Sequence, residues 1–175
     1  MQNVAKIRKA VPLIEGAVRV RVNAGSRGKG VRNDVVIKGS ELNEFLVSRV
    51  VEAIDFGFCV DDALLLLKDG FELEFIDVKE HTHRKNLKDV RSRIIGRDGR
   101  ARKTIEKLSG AEIVLSGNRV GVIVDSEHMS AVAQGIQSLI SGAKHGNVFG
   151  MLERAGVRAR EGLDGDLGLR SSEKG

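Results

Sequence analysis

Hydrophobic residues recur along this chain with two periods that take turns, and the turns define its elements. Val4, Ile7, Val11 and Ile14 fall at helical spacing, so a short helix is expected over 4–14, with Pro12 near its end. Residues 17–23 then alternate: Val18, Val20 and Val22 share one face and Arg19 and Arg21 the other, the mark of a half-buried strand. A glycine-rich loop, Asn23 to Gly30, leads to a second strand over 31–37. Ser40 is placed to cap a helix running to Phe56, with Leu42, Phe45, Leu46, Val50 and Ile54 striping one face and Gly57 ending it. A short helix is expected over 60–68, broken by Asp69-Gly70.

The second half opens on Phe71, Leu73 and Phe75 in alternation, which predicts a strand over 71–78. A polar, basic link precedes a helix over 87–95 that stops at Gly96, and a new helix runs from Gly99 or Arg100 to Ser109. Strands over 111–116 and 119–124 flank a tight turn at Gly117-Asn118. The last helix, Ser126 to Ser141, carries Met129, Val132, Ala133, Ile136, Leu139 and Ile140 at near-ideal spacing. After Arg154 the chain turns Gly-rich and charged, so 155–175 reads as a disordered or loosely held tail. Both halves share the order helix, strand, turn, strand, long helix, an internal repeat over 4–56 and 100–141. The second copy has an extra strand and helix in front, at 71–95. The implied architecture is α+β: two packed units, 1–68 and 69–154, each a sheet with helices on one face.

Composition narrows the function. Hydrophobic residues are 41% of the chain, enough for a core, and the net charge of +5 favours a polyanionic partner. No apolar run is long enough to span a bilayer, and the N-terminus lacks the apolar core of a signal peptide, so a cytoplasmic protein is expected. The single cysteine, Cys59, lies between Phe58 and Val60 and reads as a buried structural thiol. There is no Trp or Tyr, and Phe45, Phe56, Phe58, Phe71 and Phe75 lie in apolar settings that read as core. Modules that stack bases on exposed aromatic platforms are therefore disfavoured, and a nucleic-acid binder of this composition would grip the backbone.

One segment concentrates the chemistry: Arg93-Ile94-Ile95-Gly96-Arg97-Asp98-Gly99-Arg100-Ala101-Arg102-Lys103. Two glycines bracket a two-residue turn between helices, where the backbone reverses sharply and comes close to a ligand. The following helix aims its free N–H groups and positive dipole end at the turn, which suits a phosphate. Residues 84–107 hold ten basic side chains against three acidic ones, a local balance of +7 that exceeds the +5 of the whole chain. Basicity gathered around one loop is the footprint of an RNA site.

With Ile-Ile before it, basic residues after it, and strand, strand and amphipathic helix following, this loop resembles that of the type I KH module, β-α-α-β-β-α, which clamps the backbone of single-stranded nucleotides. The resemblance implies a groove of Ile94 and Ile95 beside the loop and Ile113 and Leu115 on the strand, with Arg93, Gly96, Arg97, Asp98, Gly99, Arg100, Arg102 and Lys103 around the backbone. Further runs follow in order: Phe56-Gly57-Phe58 with Asp61-Asp62-Ala63-Leu64, Phe75-Ile76-Asp77-Val78-Lys79, Thr104-Ile105-Glu106, and His145-Gly146-Asn147-Val148 with Leu152-Glu153. Over residues 40–154 they resemble the archaeal members of the tandem-KH ribosome-assembly family known as partner of Nob. Membership implies binding near the 3′ end of small-subunit rRNA precursor, partnership with the PIN-domain endonuclease that trims it, and a link to the alpha subunit of initiation factor two. It implies no cofactor and no catalysis. The first unit has no glycine clamp in a helix–helix setting and resembles a degenerate KH unit.

Other candidate chemistry is weaker. The loop Gly25 to Gly30 lacks the spacing of a phosphate cradle and reads as a hairpin loop, with an auxiliary RNA contact as the other option. His81 and His83 lack further ligands at suitable spacing and read as part of the basic link. His145, beside Gly146, reads as a capping or packing residue in a turn. Asp61 and Asp62 start a helix, where carboxylates complement the dipole, and a nuclease would need a carboxylate cluster that the chain does not supply.

Overall fold

The computed structural model describes residues 3–25 and 34–166. The expected hairpin loop at Gly25 to Gly30 falls mostly outside them, as does the tail beyond residue 166. The first half consists of α1 (Val4–Ala17), β1 (Val20–Gly25), β2 (Asp34–Gly39), α2 (Glu41–Phe56), α3 (Val60–Leu64) and a 3-10 turn at Leu65–Leu67. The second half follows the order β-α-α-β-β-α: β3 (Phe71–Asp77), α4 (Leu87–Ile95), α5 (Arg100–Ser109), β4 (Glu112–Ser116), β5 (Arg119–Asp125) and α6 (Ser126–Ser141). A last helix, α7, spans His145–Asp166. None of the described helices is long and apolar enough to cross a membrane.

Local chemistry explains most boundaries. Ser40 caps α2 by accepting from the Asn43 N–H, with Glu41 and Glu44 in its first turn. Gly57, at φ +135°, closes it. Pro12 sits inside α1, and the helix runs to Ala17 because Ile7, Ala10 and Ile14 are fully buried on its inner face. Packing of that face offsets the missing N–H.

The first half makes a two-stranded antiparallel sheet, β1-β2, and the second a three-stranded antiparallel sheet in the order β3-β5-β4. The central strand reads Arg-Val-Gly-Val-Ile-Val-Asp, and its residues 120–124 are all buried. Such a run signals burial on both faces, and the second sheet is in fact covered twice. Val120, Val122 and Val124 join α4, α5 and α6 in one core, whereas Ile123 and Leu73 join Phe58, Leu66 and the α1 and α2 side chains in another. The helices of this unit thus lie on one face of its sheet, as expected. The other face is roofed by the first half.

Gly121 makes that roof fit. A Cβ there would stand 2.8 Å from the rings of both Phe56 and Phe58, so the bare backbone is what lets these aromatics lie on the sheet. Phe56 stacks on Phe75 at 4.6 Å between ring centroids, and the Arg119 guanidinium lies 4.6 Å from the Phe75 ring centre. Phe58 is fully buried, and Phe56, Phe71 and Phe75 are half-buried at this junction.

Phe45 departs from the expected core: it is 61% exposed, and Leu42 is 67% exposed. The buried face of α2 is carried by Val47, Val50, Val51 and Ile54, which leaves Leu42 and Phe45 on an adjacent face. Cys59 is exposed as well. Its sulfur accepts from the Asp62 N–H at 3.3 Å as the N-cap of α3, a role that turns the thiol outward while Phe58 beside it is buried.

The expected tail at 155–175 overlaps the last helix as far as residue 166, and its remainder lies outside the described residues. Helix α7 continues through residue 166, and the turn expected at His145 is its beginning. Val148 and Leu152 are buried in the second core, which fixes the first turns of this helix.

Glu112 lies at the junction, and burial there raises its carboxyl above the usual range, helped by the charges of Asp62 and Glu106 and opposed by Arg102. A raised native value stabilises the fold below the unfolded value and loses that contribution as pH rises through the native one. Glu112→Gln should therefore raise the melting temperature at pH 7. The gain should vanish below about pH 4, where the unfolded glutamate is also protonated. Thermal melts across pH check it, and a gain that grows on acidification would contradict the assignment.

Candidate nucleic-acid interface

Helix α4 begins at Asn86, whose side chain accepts from the Lys88 N–H, and ends at Gly96 at φ +75°, ψ 175°. Its N–H returns to Ser92 O at 2.8 Å. Asp98 at φ +55° and Gly99 at φ +76° then place two successive residues in the left-handed region, which glycine and aspartate occupy at least cost. Chain reversal is complete within these residues, and α5 starts at Arg100.

The two glycines differ in purpose. A Cβ on Gly96 would lie 2.6 Å from the Ala101 nitrogen and 2.6 Å from its Cβ, so Gly96 lets the loop close onto the first turn of α5. A Cβ on Gly99 would meet nothing within 4 Å, so that position faces open space. No side chain caps α5, and its first turn contains no acidic residue. The Gly99 and Arg100 N–H groups bond back to Gly96 O and Arg97 O, and the helix presents its positive dipole end to solvent with no side chain over it.

Among the described residues, Arg97, Arg100 and Lys103 are exposed with no ion-pair partner. Arg97 and Arg100 flank the start of α5, and Lys103 follows one turn into the helix. The other cations singled out from the sequence are engaged within the protein. Arg93 is half-buried and donates through Nη2 to Ala143 O at 2.6 Å and through Nε to Leu139 O at 3.4 Å. It caps the end of α6. Arg102 is half-buried and paired with Glu106 at 3.4 Å. Glu106 Oε1 in turn accepts from the Ile113 N–H at 3.2 Å, which fastens α5 to the edge of β4.

The groove expected from Ile94, Ile95, Ile113 and Leu115 is also revised. Ile94 is fully buried and Ile113 is 2% exposed, both in the second core, because they occupy the inward positions of an amphipathic helix and an alternating strand. Neither offers surface to a base. Ile95 is 38% exposed beside the loop, and Leu115 is half-buried on β4. These two are the aliphatic surface that remains.

Helix α7 brings residues to the loop that the sequence reading left elsewhere. A hollow of about 240 Å³ is lined by Gly96, Arg97, Arg100, Thr104, His145 and Phe149. His145 Nε2 lies 2.8 Å from Arg93 O, so it ties the start of α7 to the last turn of α4, and its ring lies 5.9 Å from that of Phe149. The signal for α7 was present: Val148, Met151, Leu152 and Ala155 recur at helical spacing.

The family model for the second KH domain of the PNO1 proteins, described as a eukaryotic-type, type I KH domain, matches residues 72–156. The pre-rRNA-processing protein pno1 of Emericella nidulans is 30% identical over 86% of this chain and 60% of its own. The chain spans about half to three-fifths of the length of the curated relatives it matches. The crystal structure of Dim2p from Pyrococcus horikoshii superposes with a TM-score of 0.72 at 31% identity, covering 85% of this chain and 94% of that one. A second structure from that organism, a complex of a/eIF2α, aDim2p and rRNA, matches with a TM-score of 0.76 at 29% identity, covering 90% of this chain and 88% of that one. On the glycine clamp, the β-α-α-β-β-α order around it and these likenesses, the chain belongs to the partner-of-Nob family of KH proteins, to which PNO1 and the archaeal Dim2p belong.

Proposed function

We propose that this protein is an RNA-binding factor of small-subunit rRNA processing. In this proposal it holds single-stranded rRNA near the 3′ end of the precursor and presents it to a PIN-domain endonuclease, without catalysing a reaction itself. The observation that carries the assignment is the uncapped start of α5 behind Gly96-Arg97-Asp98-Gly99, with Arg97, Arg100 and Lys103 beside it. The presence of aDim2p in a complex with a/eIF2α and rRNA supports both the class of RNA and the alpha subunit of initiation factor two as a second partner.

The labour is divided between the units. Residues 69–154, extended by α7, hold the RNA. Residues 1–68, with no glycine clamp among the described ones, brace the second sheet and offer surface to protein partners.

A clamp of this size neutralises three or four phosphates, so log K against log salt concentration should fall with a slope of roughly −2 to −3 for single-stranded RNA. Titration of a labelled rRNA 3′-end oligonucleotide at several salt concentrations measures it. A slope near zero would remove the basic loop from the interface. A duplex of the same sequence should bind more weakly, since Ile95 and Leu115 serve only unpaired bases.

A further inference from the structure

Away from the clamp, the largest exposed hydrophobic side chains of α2 stand one turn apart. Leu42 is 67% and Phe45 61% exposed, although both are of a size that folding ordinarily hides. Phe45 is one wall of a groove of about 350 Å³ between α2 and β3, which Leu46, Leu66, Phe71 and Leu73 complete. Strand β3 is an edge of the three-stranded sheet, so the groove opens along a free border of the fold. An exposed apolar ridge beside an apolar groove is the form of a recognition surface.

The charges around it differ from those at the clamp. Glu72 lines the groove, and Glu41 lies one helical turn before Phe45. Arg49, the one cation lining the groove, is already committed: it pairs with Glu52 at 2.6 Å and donates to the Leu73 carbonyl. Glu72 is thus the charge of the groove lining that is left without an ion pair, on a chain whose net charge is +5.

We propose that the groove between α2 and β3, with the Leu42–Phe45 ridge, docks a protein segment that carries a large apolar anchor flanked by lysine or arginine. The anchor enters among Phe45, Leu66 and Phe71, and the basic flanks meet Glu41 and Glu72. It rests on the assignment of protein-binding surface to the first unit and leaves the RNA site untouched. An RNA–protein bridge follows, with polyanion held on the α4–α5 loop and a basic protein segment on a separate face.

Selection of a phage-displayed random-peptide library on the full chain tests it, followed by titration of the enriched peptides against the parent, a Leu42→Ser/Phe45→Ser variant and a Glu72→Lys variant. All three side chains are exposed, so melting temperatures should be preserved. The expected result is peptides with a bulky apolar residue between basic ones, bound at least about tenfold more weakly by both variants. Affinity for the rRNA 3′-end oligonucleotide should be the same for all three proteins. Peptides that bind the variants equally, or no enrichment at all, would overturn the proposal. A weaker oligonucleotide affinity in the serine variant would make the ridge an RNA surface. Sedimentation showing a dimer that the serine variant dissolves would make the occupant a second copy. Failure of the peptide arm with intact RNA binding sinks only this surface, whereas loss of RNA binding by the parent sinks the proposed function.

Discussion

Replacing Gly99 with aspartate should lower the affinity for single-stranded RNA by roughly 30- to 700-fold, with the fold retained. Gly99 sits at φ +76°, and a side chain there meets nothing within 4 Å. Aspartate tolerates this backbone region, so the cost to folding is about 1 kcal/mol or less. Its carboxylate, however, would stand at the positive end of α5, where the proposed clamp would meet a phosphate. Two like charges a few ångströms apart at a protein surface repel by about 2–4 kcal/mol, which sets the range of the loss. Gly96 is the poorer position to change, because a Cβ there would strike Ala101 at 2.6 Å and the loop itself would shift. Fluorescence anisotropy with a labelled rRNA oligonucleotide, with circular dichroism as the folding control, measures the effect. A folded Gly99→Asp protein that binds like the parent would show that RNA lies elsewhere.

Expressing residues 69–166 without the first half should give a fragment that has lost most of its stability. The exposed face would carry Leu73 and Ile123, now 6% and 0% exposed, together with the partly buried Phe71, Phe75 and Val114. Each fully buried side chain of this kind contributes about 1.5–3 kcal/mol. Several of them together reach the magnitude of a whole domain's stability, about 5–15 kcal/mol. Thermal and urea melts of the fragment and the full chain decide the matter. A fragment melting within a few degrees of the full chain would mean that the two units are independent, and strong RNA binding by residues 1–68 alone would reverse the proposed division of labour.

What the sequence by itself determined was local. The alternation of Phe71, Leu73 and Phe75, the cap at Ser40 and the stripe from Met129 to Ile140 each depend on neighbours within a turn or two of chain, and each formed the element they predict. The glycine clamp was legible for the same reason, since sharp reversal, uncapped helix and clustered basicity are all written within eleven residues. Tertiary structure decided which faces of those elements meet. Helix α2 holds two overlapping apolar stripes. Packing under the second sheet selected Val47, Val50 and Ile54 and left Leu42 and Phe45 in solvent. The same holds at the proposed RNA site. Arg93 and Arg97 are alike in sequence, but Arg93 is spent on the carbonyls at the end of α6, some fifty residues away. Ile94 and Ile95 are adjacent, yet one is core and the other surface, because a helix turns by about 100° per residue and only the position of its neighbours fixes which side is inside. Periodicity specifies that an inner face exists. The partner packed against it, distant in sequence, specifies which residues are left to bind.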